Sequence, residues 1–73
     1  ETNLHLLDAV ALIRDLPERG LSHGQVGTIV ENLAPEVFEV EFSDDNGRAY
    51  AFASVSTQDL LRLLSSPHGP AAN

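Results

Sequence analysis

The chain has 73 residues, 11 acidic side chains, four arginines and no lysine, for a formal net charge of −7. That length holds one small domain with a modest core and little room for a deep catalytic pocket. The absence of cysteine excludes disulfides, thiolate chemistry and cysteine zinc sites. Four scattered arginines do not make the cationic stripe that binding nucleic acid requires.

Glu1 to Asn3 read as a frayed end. The segment from Leu6 to Arg14 fits two periodicities: Leu6, Val10 and Ile13 share a helical face, while Asp8, Val10 and Leu12 share a strand face. It is short and Pro17 ends it, so it is expected to be a strand. Asp15 to Gln25, punctuated by Pro17, Gly20 and Gly24, is a loop. Leu21 is an apolar residue inside this polar loop, and is expected to plug the loop onto the body of the domain.

Val26 to Asn32 opens a strand with three β-branched residues following Gly27. A glycine there signals a bulge or a close backbone approach. Leu33 to Glu36 is a turn. Val37 to Phe42 then alternates: Phe38, Val40 and Phe42 face one way, Glu39 and Glu41 the other, as in a half-buried antiparallel strand. Asn46-Gly47 predicts a type I′ hairpin turn, in which both central residues take positive φ.

Arg48 to Val55 is the return strand, with Tyr50 and Phe52 on one face and Ala49, Ala51 and Ala53 on the other. The alanine face either lies close to something or is bare. Ser56 to Leu60 resembles one capped helical turn, Ser56 capping and Asp59 three residues on. Leu60 to Leu64 is a last short strand or a continuation of that turn. Ser65 to Asn73, with Pro67, Gly69 and Pro70, is expected to be a disordered tail.

About five antiparallel strands, one long early loop and a helical turn before the last strand are the order of an SH3-like barrel. The expectation is an all-β domain over residues 4–65 and a tail over 66–73. The competing architecture is an α+β domain with helices at 4–14 and 57–65 against a three-stranded meander.

The block Leu16-Pro17-Glu18-Arg19-Gly20-Leu21, then Gly24-Gln25-Val26-Gly27-Thr28-Ile29-Val30-Glu31, then Phe38-Glu39-Val40-Glu41-Phe42, resembles a bacterial family catalogued only as a domain of unknown function. Its pattern runs LPE-x-GL-x-x-G-x-x-GT-hydrophobic-VE before YEVEF. The resemblance spans roughly residues 7–64 and implies no activity. Gln25 stands where members often carry an acidic residue. The order of glycines, hairpin and final leucine segment is also similar to barrels within larger assemblies, among them the nitrile hydratase β-subunit, photosystem subunits and thioredoxin-reductase subunits, and to the KOW motif. That likeness concerns fold, not site.

Each candidate site has a bland counterpart. Glu39 and Glu41 lie two apart on one strand, with Glu31 on its neighbour. They could work as acid and base, but no apolar pocket separates their proton affinities. A solvated face, or a surface for a basic partner, fits better. Asp44 and Asp45 suit turn chemistry and lack calcium-loop spacing. His5, His23 and His68 contain no close pair for zinc. Ser22, His23 and Asp15 lack a nucleophile-elbow sequence. Gly20, Gly24 and Gly27 run from a loop into a strand, the reverse of the order in a phosphate loop. With four aromatics and no tryptophan, a groove for proline-rich peptides is not expected.

The expected role is therefore a non-catalytic interaction module, an acidic small subunit or neutralising partner of another bacterial protein. Glu31, Glu39, Glu41, Asp44 and Asp45 would meet a basic surface, and Leu21 with the alanine face near Ala51 would add apolar contact. A barrel assisting a multi-subunit metalloenzyme is the alternative, and KOW-like RNA binding a more distant one. No cofactor or metal is implied. A homodimer is compatible with exposed strand edges. The lack of disulfide staples fits a reducing cytoplasm, and no apolar run reaches the ~20 residues that cross a bilayer. No signal-peptide pattern opens the sequence.

Overall fold

A computed structural model describes residues 3–63. Five strands form one antiparallel sheet in the order β4-β3-β2-β1-β5: β1 (Ala9–Leu12), β2 (Val26–Ala34), β3 (Val37–Ser43), β4 (Ala49–Ser56) and β5 (Leu60–Arg62). The first strand thus sits between the second and the last, and the long early loop and a 3-10 helix flank the meander β2-β3-β4. This is an SH3-like barrel. Both segments that an α+β domain would make helical, residues 4–14 and 57–65, carry sheet strands instead, β1 and β5. The expected tail over 66–73 lies outside the described residues.

The period-two pattern of β3 decides the inside. Phe38, Val40 and Phe42 are buried and meet Val10, Leu12, Ile29, Ala53, Val55 and Leu60 in one core. Phe42 pairs with Ala51 and Val40 with Ala53, so large side chains lie across from small ones. The alanine face is the core face, which corrects its assignment as a contact surface: Ala53 is buried and Ala51 packs against the core. Tyr50 and Phe52 point outward, each about half exposed (51% and 49%).

Gly27 is fixed by a close approach. A Cβ there would lie 2.6 Å from Val40 Cγ1 and 2.8 Å from the Glu41 carbonyl oxygen. The loop between β1 and β2 folds back on itself. Leu16 and Leu21 exchange backbone hydrogen bonds of 2.8 and 3.1 Å, and both side chains are buried. Between them Pro17 opens a 3-10 helix (Pro17–Arg19), where its missing N–H costs nothing, and Gly20 closes it at φ +70°.

Two turns differ from expectation. At the β3–β4 hairpin only Gly47 has positive φ (+80°), and Asn46 does not. The Gly47 N–H donates to the Asp44 carbonyl and the Asp44 N–H to that of Arg48, both at 2.9 Å. Together with the register shift at Phe42/Ser43, this is a three-residue loop ending in a left-handed glycine, not a two-residue type I′ turn. Before β5, Thr57–Asp59 forms a 3-10 helix, but Ser56 makes no capping hydrogen bond. Asp59 instead pairs with Arg14 at 3.1 Å.

Candidate docking surface

Glu39 and Glu41 project from the outward face of β3. The Cα partner of Glu39 on β2 is Glu31, and that of Glu41 is Thr28. The three carboxylates expected on one face are therefore brought together, with two of them directly opposite each other. Like charges in that position destabilise a sheet. On the β4 side, Ser54 Oγ donates to Glu39 Oε1 at 3.3 Å, and Phe52 lies opposite Glu41.

None of the four arginines forms an ion pair with these three carboxylates. Arg14 pairs with Asp59 at 3.1 Å and Arg62 with Asp8 at 3.5 Å. Arg19 donates to the Phe52 carbonyl at 2.8 Å, at the outer edge of β4. Arg48, beyond the hairpin turn, forms no ion pair within 4 Å with Glu31, Glu39 or Glu41 among the described residues.

The remaining predicted positions separate. Asp44 serves the turn: its Oδ1 accepts the backbone N–H groups of Asn46 and Arg48 at 2.9 and 3.0 Å. Asp45 is exposed at the tip. Leu21 is only 2% exposed. It acts as the loop plug, and its side chain has no surface to offer a partner. The apolar atoms beside the acidic face belong instead to Tyr50 and Phe52. The Tyr50 hydroxyl accepts from Gln25 Nε2 at 2.7 Å. The signal for these two was already in the sequence, because their face alternates against three alanines, and only small residues fit opposite Phe42 and Val40.

The polar groups of Ser22, His23 and Asp15 hold the loop. Asp15 Oδ1 accepts the backbone N–H of His23 at 2.8 Å, and the Ser22 N–H donates to Gln25 Oε1. Among the described residues no three His, Asp or Glu side chains gather as a metal site. His68 lies outside them.

A shallow cleft of about 300 Å³ opens at the other end of the sheet, lined by Leu4, His5, Leu6, Asn32, Pro35, Glu36 and Phe38. Sequence reasoning gave no sign of it, since it is built from the N-terminal segment and the β2–β3 turn.

Residues 6–62 match the model of a family described as a domain of unknown function (DUF4926). The chain belongs to this family. No curated protein and no solved structure shows significant similarity to it.

Proposed function

We propose that this DUF4926 domain is a non-catalytic interaction module that docks a protein partner bearing a basic surface. The observation that carries the reading is the pairing of Glu31 across from Glu39, beside Glu41, on a sheet face where no arginine forms an ion pair with them. A fold selected for stability alone would place a cation opposite one of these carboxylates, because opposite charges across strands stabilise and like charges do the reverse. A cationic partner relieves that repulsion on binding, and the net charge of −7 steers it from a distance. Phe52 and Tyr50, half exposed beside the acids, supply apolar contact and aromatic faces for Lys or Arg groups.

The test uses the domain and a double variant, Glu39→Lys with Glu41→Lys, as baits at low and high salt. The captured protein is then purified and its association kinetics measured with each bait. The reading requires a fall in association rate for the variant and a steep decline with salt. Equal rates for both baits at all ionic strengths would remove the acidic face from the contact.

A further inference from the structure

Glu36 sits where glycine is expected. It is the second residue of the two-residue Pro35-Glu36 turn between β2 and β3, with φ +69°. Proline at the first position and positive φ at the second define a type II turn, whose second position favours glycine or asparagine. A residue with a side chain in the left-handed region carries a conformational cost, and such outliers point to a use for the side chain. The Glu36 carboxylate is also held in place. Thr57 Oγ1 donates to Glu36 Oε1 at 2.6 Å, and the Thr57 N–H donates to the Glu36 carbonyl at 2.9 Å. Oε2 has no hydrogen bond among the described residues.

This oriented carboxylate stands at the lip of the cleft. Leu4, Pro35 and Phe38 give the cleft apolar walls. Asn32 adds a second acceptor: its Nδ2 donates to the carbonyls of Ala34 and Val37 at 3.0 and 3.2 Å, which assigns Oδ1 as the remaining polar atom. His5, on the rim, lies beside Asp8 at 3.7 Å. In so open a cleft a side chain lies along the floor, so apolar walls with acceptors at the rim fit a long apolar stem against Leu4, Pro35 and Phe38 and a cationic head at the rim. The two acceptors are on separate groups, which suits the planar fork of a guanidinium better than a compact ammonium.

We propose that the cleft between the N-terminal segment and the Pro35-Glu36 turn anchors a single arginine side chain of the protein partner, with Glu36 as its counter-ion. This deepens the basic-partner reading and rests on it for the source of the arginine. The cleft lies on the core-facing side of β2 and β3, where Asn32 pairs with Phe38, one step along from the outward Glu31–Glu39 pair. The two sites can therefore be tested separately.

The experiment titrates the isotopically labelled chain with the tripeptide acetyl-Gly-Arg-Gly-amide, followed by amide chemical shifts. A citrulline counterpart, neutral and nearly isosteric, serves as control. Saturable shifts at Leu4, Asn32, Glu36 and Phe38 are expected, with a dissociation constant in the range of about 1 mM or weaker for so small a ligand. Citrulline should bind at least roughly fivefold more weakly, and Glu36→Gln should cause a similar loss, because the charge-assisted contact goes. The glutamine amide oxygen can still accept from Thr57, so the thermal midpoint of Glu36→Gln should hold. If it falls, Thr57→Val decides: a lowered midpoint with tripeptide affinity kept would assign the loss in Glu36→Gln to the missing charge, whereas an equal loss of affinity would assign it to the fold and overturn the proposal. Equal binding of citrulline, or no shifts at all, would also overturn it. Shifts confined to Glu31, Glu39 and Glu41 and indifferent to Glu36→Gln would reject the cleft while leaving the acidic face standing.

Discussion

The two faces of β3 hold neighbouring residues with opposite fates. Phe38, Val40 and Phe42 are sealed in the core, while Glu39 and Glu41 lie half-buried on the outer face across from another carboxylate and an aromatic ring. The inner face is matched in size, with rings against alanines, and this complementarity leaves little tolerance. The outer face is mismatched in charge, and no ion pair among the described residues repairs it. One strand therefore separates what the fold needs from what the proposed partner would use.

The largest effect should come from the inner face. Phe42→Ala removes a fully buried ring. The expected loss is about 3–5 kcal/mol, comparable with the whole stability of a domain this size at about 0.05–0.15 kcal/mol per residue. Urea denaturation followed by circular dichroism should find the variant largely unfolded. A cooperative transition near that of the parent would mean that the core collapses around the gap.

Gly27→Ala comes next. The added methyl meets the Glu41 carbonyl oxygen, which cannot move without shifting β3. A loss of about 1–3 kcal/mol is expected, or roughly 10 °C in thermal midpoint for a domain this small. An unchanged midpoint would show that β2 and β3 are not so closely packed.

On the outer face the sign reverses. Glu31→Lys places a cation across from Glu39 and should stabilise the fold by about 0.2–1 kcal/mol. The gain should fade in roughly 1 M salt, where screening acts over about 3 Å. The same change should weaken capture of a basic partner. Opposite effects on stability and binding sharpen the contrast between the faces, whereas parallel losses in both would break it. For Phe52→Ser a loss of about 1 kcal/mol is expected, since only half of the ring is buried. The larger loss should appear in partner affinity.

How much of this was legible beforehand follows from the range of each signal. The alternation in residues 37–42 and the plug at Leu21 are local patterns, and each holds in the structure. The barrel order was legible because loop lengths and turns constrain which strands can be neighbours. The inward facing of the alanines was not resolved, since it depends on which residues lie across from them on β3. The type of the hairpin turn is not legible, because Asn46-Gly47 carries the same letters in either geometry, and the choice is made by Asp44 capping two backbone N–H groups. The placement of Glu31 beside Glu39 was only a suggestion in the sequence, since it depends on register. The cleft left no trace, because Leu4 and Glu36 are far apart along the chain.

The register shifts in β2 have a further consequence. A strand reads in a two-letter frame, in, then out, and β2 contains two single-letter insertions, at Val30 and Leu33. Before the first, even-numbered residues face out and Ile29 faces the core. Without it, Glu31 would fall in phase with Ile29 and carry a carboxylate inward. The insertion moves Glu31 outward, opposite Glu39, and the second restores the original phase before the turn, where Ala34 meets Val37. The acidic face thus contains one residue that the strand's own rhythm would have hidden. Relatives that lack one insertion should differ here by a whole side-chain flip rather than by degree.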